Sequence, residues 1–145
     1  MPVPTSTPWR LRCDGGARGN PGPAAYGFVL TDPSGKEAEA HGSYLGTATN
    51  NVAEYKGLIA GLEAAAARGV DTLEVNMDSE LVVRQMTGEY RVKNEGLKPL
   101  YAEARKAAAK IPHLKYVSVR REANVRADQL VNETLDRVLG SESPR

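Results

Sequence analysis

The stretch "RCDGGARGNPGPAAYGFVL", residues 12–30, predicts a pair of neighbouring strands, because its glycine- and proline-rich middle joins two runs of alternating apolar and polar residues. The runs at 9–14 and 26–31 predict two strands. "DPSG" at 32–35 predicts a turn into a third strand over 38–45. We therefore expect the chain to begin with an antiparallel meander of three strands.

Downstream of the meander the hydrophobic period changes from two to 3.6 residues, which predicts a helix over 51–68 that stops at Gly69. The later segments alternate between the two periods: a strand at 72–78, a short helix at 79–86, a longer helix at 97–110, a strand at 114–121 and a helix at 126–139. The order βββαβααβα predicts an α/β fold with a five-stranded mixed sheet flanked by helices.

Composition limits the classes of protein that this chain can be. Its 145 residues fit one domain, which we place at 9–140 between a flexible lead at 1–8 and a flexible tail at 141–145. The net charge of +1 gives no global field that would attract nucleic acid or a membrane. The single cysteine, Cys13, excludes an internal disulfide, and the apolar runs are too short for a bilayer. We expect a cytoplasmic monomer that does not contact a membrane.

Two aspartates end predicted strands on the polar face. In the first strand Leu11 and Cys13 share one face, while Arg12 and Asp14 share the other. Asp78 ends the fourth strand in the same way. Each aspartate taken alone is also typical of the start of a turn.

Two further acids, Glu54 and Asp128, lie at the head of apolar helical stripes that face the body of the protein. Glu54 also matches a capping box with Asn51 as the N-cap, so a structural role is an alternative for it. Four acids that converge at one edge of a sheet would repel one another. A divalent cation is the compensation that this pattern predicts.

Five ordered motifs resemble those of type 1 ribonuclease H over nearly the whole chain: "DGGARGNPGPAAYG" (14–27), "TNNVAEY" (49–55), "MDSELV" (77–82), "VKN" (92–94) and "NVRADQLVN" (124–132). The resemblance implies the ribonuclease H-like fold and endonucleolytic cleavage of RNA paired with DNA, with 5′-phosphate and 3′-hydroxyl products. It implies two Mg²⁺ or Mn²⁺ ions at catalytic carboxylates that fall on Asp14, Glu54, Asp78 and Asp128.

The resemblance also implies a set of contacts to the substrate. By motif, Asn20, Asn50, Asn51 and Ser79 fall on or near positions that contact the hybrid, where 2′-hydroxyls distinguish RNA from DNA. Thr49 and Asn94 resemble members of a pocket for a DNA phosphate. Without the resemblance, helix capping, a turn or a loop would explain these residues. "GNPGP" (19–23) precedes a strand and lacks the GK[ST] signature, so no nucleotide cofactor is expected.

The chain departs from the common bacterial pattern in two places. The segment "RREANVRAD" (120–128) is short and lacks histidine, as in the branch called archaeal-type, and we expect Arg121 or Glu122 to act there, with a salt bridge as the alternative role. The basic protrusion is also missing, so only a few cations lie between the two middle helices: Arg84, Arg91, Lys93 and Lys98. Two other functions stay open, namely a nuclease of this fold that cuts double-stranded RNA or another duplex, and a hybrid-binding module that does not cut.

Overall fold

The computed structural model describes residues 7–140, so most of the predicted lead and all of the predicted tail at 141–145 lie outside the described residues. Five strands and four helices follow one another in the predicted order: β1 (Trp9–Ala17), β2 (Gly22–Thr31), β3 (Glu37–Ala48), α1 (Asn50–Ala67), β4 (Thr72–Met77), α2 (Glu80–Met86), α3 (Lys98–Ala108), β5 (His113–Ser118) and α4 (Val125–Leu139). A 3₁₀ turn, Arg121–Ala123, precedes α4. Within residues 7–140, none of the helices has the length and hydropathy that crossing a bilayer requires.

The strands form one mixed sheet in the spatial order β3-β2-β1-β4-β5. β1 pairs with β2, and β2 with β3, in antiparallel fashion. β4 is parallel to β1 and β5 is parallel to β4. The five-stranded mixed sheet predicted from the order of elements is therefore confirmed.

The first strand is longer than predicted, and Asp14 lies inside it rather than at its end. Asp14 pairs with Gly27, and the antiparallel ladder continues to the pair Ala17 and Ala24. Glycine and alanine carry little strand signal in the sequence, but a tight connection between two paired strands keeps their ladder intact up to the turn. The carboxylate of Asp14 therefore projects from a rigid, paired backbone.

The N-cap of helix α1 lies two residues before Asn51, the cap suggested by the sequence. Its N-cap is Thr49, whose Oγ1 accepts a 3.2 Å hydrogen bond from the backbone N–H of Val52, so the prediction of Asn51 as the cap was wrong. Thr49 is the residue with extended backbone, which the N-cap position requires. Glu54 consequently lies beyond the first turn, and the capping box that was the alternative role for it does not form.

The helices cover both faces of the sheet but with unequal cores. The main core packs α1, α2 and α3 against one face of the sheet. α4 packs on the opposite face through a separate cluster of Ala25, Val131 and Leu135. Small residues let α4 approach closely, because a Cβ on Gly27 would lie 2.8 Å from the Cβ of Leu130.

Helix α1 approaches β1 almost backbone to backbone. A Cβ on Gly15 would overlap the backbone of Ala53, and a Cβ on Gly57 would lie 2.8 Å from the carbonyl oxygen of Asp14. Only glycine leaves enough room at these two positions. This close contact brings the helix that carries Glu54 beside the strand that carries Asp14.

Candidate active site

Three carboxylates from three elements meet at the edge of the sheet. Asp14 comes from β1, Glu54 from α1, and Asp78 directly follows β4. One carboxylate oxygen from each lies within 4.8 Å of the others. Carboxylate oxygens are hard ligands of the kind that Mg²⁺ and Mn²⁺ prefer, so this donor set fits a divalent cation.

The three carboxylates line an open cavity of about 820 Å³. The fourth predicted acid, Asp128, lies in the first turn of α4 and lines this cavity too. The group of three within 4.8 Å does not include its carboxylate. The structure therefore brings all four acids singled out in the sequence to one cavity. Three of them form the close group, and Asp128 lies at the cavity wall. Two of the four, Glu54 and Asp128, reach this cavity from helices on opposite faces of the sheet.

The electrostatics of the cluster favour protons or a cation over free negative charge. Burial, followed by the charge of Asp78, raises the pKa of Asp14 to about 8. Burial raises the pKa of Glu54 to about 7, although the neighbouring Ser79 hydroxyl lowers it. Burial also raises the pKa of Asp78, against the opposing effect of the Arg121 guanidinium. Neutralising these carboxylates is what a bound cation would do.

Asn124 connects three of the elements that carry the acids. Its fully buried side chain donates a 3.0 Å hydrogen bond from Nδ2 to the carbonyl oxygen of Cys13, the residue before Asp14. The same amide lies beside Asp78 and lowers its pKa. The backbone carbonyl oxygen of Asn124 accepts the backbone N–H of Asp128 at 3.1 Å. Reading the sequence missed Asn124, although it begins the motif that contains Asp128.

The residues expected at the substrate fall into two groups. Asn50, Asn51 and Ser79 line the cavity, whereas Asn20, Thr49 and Asn94 do not. Asn20 lies next to the cavity wall, because its Oδ1 accepts the backbone N–H of Asn50 at 2.9 Å.

The two residues assigned to the phosphate pocket occupy different elements. Thr49 caps α1, and Asn94 lies in the segment between α2 and α3. There the Oδ1 of Asn94 accepts the backbone N–H of Gly96 at 2.8 Å.

Arg121 lies on the 3₁₀ turn and lines the cavity. The predicted strand through residue 121 was too long, because β5 ends at Ser118 and the chain turns towards α4. The Arg121 side chain is 86% exposed, and its Nε lies 4.0 Å from Asp78 Oδ2. So exposed and long an ion pair contributes little to stability.

Known proteins resemble this chain in sequence over most of its length. A family model described as "Reverse transcriptase-like" matches residues 12–134. Ribonuclease HI of Halobacterium salinarum is 45% identical over 123 residues, which are 85% of this chain and 62% of that protein. The bifunctional protein Rv2228c of Mycobacterium tuberculosis is 47% identical over 128 residues, which are 87% of this chain and 35% of that protein.

Solved structures match over the full fold. The N-terminal RNase H domain of Rv2228c superposes with a TM-score of 0.89 at 42% identity, covering 95% of this chain and 100% of that one. LC11-RNase H1 in complex with an RNA/DNA hybrid superposes with a TM-score of 0.86 at 47% identity, covering 90% and 99%. The chain thus spans about a third of Rv2228c, but nearly all of the solved domain of that protein.

Proposed function

Because the chain belongs to the type 1 ribonuclease H family, we propose that it cuts the RNA strand of RNA–DNA hybrids internally and leaves 5′-phosphate and 3′-hydroxyl ends. The observation that carries this proposal is the group of three carboxylates within 4.8 Å in a cavity that Asp128 also lines. We further propose that the cations are Mg²⁺ or Mn²⁺, two per site. All the protein ligands on offer are carboxylate oxygens, which suit these ions.

The four carboxylates would hold the two cations and set the place of the reaction. When bound, the cations would activate an attacking water and stabilise the leaving 3′ oxygen of an in-line displacement at phosphorus. Asp14 and Glu54, with pKa values of about 8 and 7, must release their protons to become ligands. The stiff β1 and the close contact of α1 with it keep these two side chains aligned for that task.

Five of the six residues expected at the substrate share a hydrogen-bonding pattern. The side-chain oxygen of each accepts a backbone N–H of this chain: Asn20, Thr49, Asn50, Ser79 and Asn94. The remaining polar hydrogens on these side chains are donors, although the hydroxyl hydrogen of Ser79 is shared with Glu54. Donors suit phosphate oxygens and the lone pairs of a 2′-hydroxyl.

We assign the contacts of these five residues to the substrate on this basis, and that of Asn51 because it lines the cavity. Asn20, Asn50, Asn51 and Ser79 contact the minor groove of the hybrid near the carboxylates. Thr49 and Asn94 contact a phosphate of the DNA strand.

We also propose that Arg121 contacts the scissile phosphate or the leaving oxygen late in the reaction. Its exposed guanidinium at the cavity wall supports this role. Replacing Arg121 with alanine should then lower kcat more than it raises KM, which steady-state kinetics on a labelled hybrid would measure. A proportional rise in KM alone would make Arg121 a phosphate anchor, and unchanged kinetics would leave only its salt bridge.

We propose that the protein acts as a monomer in the cytoplasm. One chain supplies every carboxylate of the cavity, so the site is complete without a second copy. The single cysteine is a free, buried thiol, which suits a reducing compartment.

One assay tests the proposed function directly. RNA–DNA, RNA–RNA and DNA–DNA duplexes of one sequence, each labelled on one strand at a time, are incubated with the protein and Mg²⁺ or Mn²⁺. We expect cuts only in the RNA strand of the hybrid, with products that a 5′-phosphate-dependent exonuclease degrades. Asp78→Asn is the matched control, because it removes a cation ligand while preserving the shape of the side chain.

Each other outcome points to a different function. Cleavage of the RNA–RNA duplex at a comparable rate would favour a double-stranded RNA nuclease. Binding of the hybrid without cleavage at any cation concentration would favour the binding module.

A further inference from the structure

A side chain on α4 holds the Asp128 carboxylate. Nδ2 of Asn132 donates to Asp128 Oδ2 at 3.2 Å and to the backbone carbonyl oxygen of Asp128 at 3.1 Å. Asn132 is one helical turn after Asp128, so its amide reaches the carboxylate along the same face of the helix. The contact engages one carboxylate oxygen and leaves Oδ1 for another partner.

Arg18, in the turn between β1 and β2, fixes the orientation of the Asn132 amide. Its Nη2 donates to Asn132 Oδ1 at 3.4 Å and to Asp136 Oδ1 at 2.7 Å. A guanidinium has only donors, so the atom of Asn132 that faces it must be the oxygen. The opposite atom, Nδ2, must therefore face Asp128.

We propose that Asn132, oriented by Arg18, is a positioning residue that holds the Asp128 carboxylate for a divalent cation. Asp128 is the acid that needs such help, because the group of three within 4.8 Å comprises Asp14, Glu54 and Asp78. Hydrogen bonds to a ligating carboxylate orient it and typically change metal affinity about 10- to 100-fold. The inference rests on the proposed function and names a residue that acts on the cation site through Asp128.

A purely structural role for Asn132 would instead predict that Asn132→Ala lowers the Tm of the cation-free protein and leaves cation affinity unchanged. Asparagine is a poorer helix former than alanine, and a side chain that bonds back to the preceding turn adds little to helix stability. Asn132→Ala should therefore leave the Tm of the cation-free protein unchanged or higher. The same change should weaken cation binding, because the Asp128 carboxylate loses its fixed orientation.

The test measures Mn²⁺ binding to the intact chain by titration calorimetry, without nucleic acid. We expect Asn132→Ala to raise the Kd of the weaker-binding ion about tenfold. Gln129→Ala is the matched control, since it removes an exposed amide of the same helix whose Oε1 accepts from Arg126 instead. Arg18→Ala should have a smaller effect of the same sign, and Arg18→Lys should restore most of the affinity.

Kinetics on the hybrid then separate positioning from substrate contact. In Asn132→Ala the Mn²⁺ concentration for half-maximal rate should rise, kcat at saturating Mn²⁺ should recover, and KM for the hybrid should stay within twofold. An unchanged Mn²⁺ affinity, or a rise in KM alone, would overturn the proposal. If the wild type binds Mn²⁺ as expected but cuts no hybrid, the proposed function fails while this inference stands. If the wild type binds no Mn²⁺, both fail.

Discussion

At the level of single residues, the ionised acids of the cavity lower the stability of the folded protein when no cation is bound. Asp14 and Glu54 have raised pKa values of about 8 and 7, so the folded protein without cations keeps protons that the unfolded chain has already released. Where the folded state binds more protons, the free energy of unfolding falls as the pH rises. We expect the Tm in the presence of a chelator to fall between pH 5 and pH 8.

The control for this prediction is Asp78→Asn, which removes the charge that contributes most to the Asp14 pKa after burial. The variant should show a flatter fall and a higher Tm than the wild type at pH 8. Adding Mg²⁺ should raise the wild-type Tm most at the alkaline end, where cations compete with the fewest protons. A cation-free Tm that stays constant or rises over this range would contradict the raised pKa values.

The position of a side chain could be predicted from the sequence where the alternation of apolar and polar residues was clear. The alternation of Leu11 and Cys13 against Arg12 correctly placed Asp14 on the polar face of its strand. The cap of α1 could not be predicted in the same way, because Thr49, Asn50 and Asn51 are all good N-caps and only the backbone decides among them.

At the scale of elements, the contact of α1 with β1 decides whether the acids meet. Gly57→Ala would bring a Cβ against the carbonyl oxygen of Asp14, which belongs to a paired strand and cannot yield. We expect a loss of about 3 kcal/mol in stability from this overpacking, together with weaker Mn²⁺ binding as α1 moves away. Chemical denaturation and calorimetry measure the two effects.

Gly61→Ala is the comparison, one turn further along α1. Its Cβ would meet the side chain of Leu11 instead of backbone, so part of the strain can relax by movement of that side chain. Its cost should be smaller and its Mn²⁺ affinity close to that of the wild type. Equal losses of affinity in both variants would show that packing in general matters, and not the contact between α1 and Asp14.

The order and type of the elements could be predicted from the hydrophobic period. The hydrogen bonds that connect one element to another could not. The bonds of Arg18 to α4 join residues that lie 114 and 118 positions apart in the chain. Asn124 reaches the carbonyl oxygen of Cys13 across 111 positions. Such contacts depend on how the sheet and helices pack, and no local spacing in the sequence encodes them.

At the level of the whole molecule, the balance of charge limits the electrostatic part of the affinity for nucleic acid. Arg84 is bound by Glu80 at 2.8 Å and Glu89 at 3.0 Å, and Lys98 by Glu95 at 2.8 Å. Of the four cations Arg84, Arg91, Lys93 and Lys98, two are thus partly neutralised by neighbours. Each phosphate contact contributes about −0.9 to the log–log salt slope on B-form DNA, so we expect a shallow slope equivalent to about three contacts.

A charge variant tests this prediction. Replacing Glu80 and Glu89 with glutamine frees Arg84 and should make the slope steeper by about one contact, measured by fluorescence anisotropy on a hybrid in Ca²⁺. Glu63 and Glu103, changed to glutamine together, give the same net charge on exposed positions of α1 and α3. An equal effect in both double variants would mean that net charge, not Arg84, sets the affinity.

The separate cluster beneath α4 makes that helix a cooperative unit of its own. Ala25, Val131 and Leu135 bury little surface compared with the main core, so α4 should detach by local opening at a lower free energy than global unfolding. Asp128 moves with α4, so a cation bound there must be lost before the helix can open. We expect Mg²⁺ to slow amide hydrogen exchange across 125–139 while exchange in β4 changes little, which mass spectrometry would resolve. Protection of one helix would then report how often the cation site is filled.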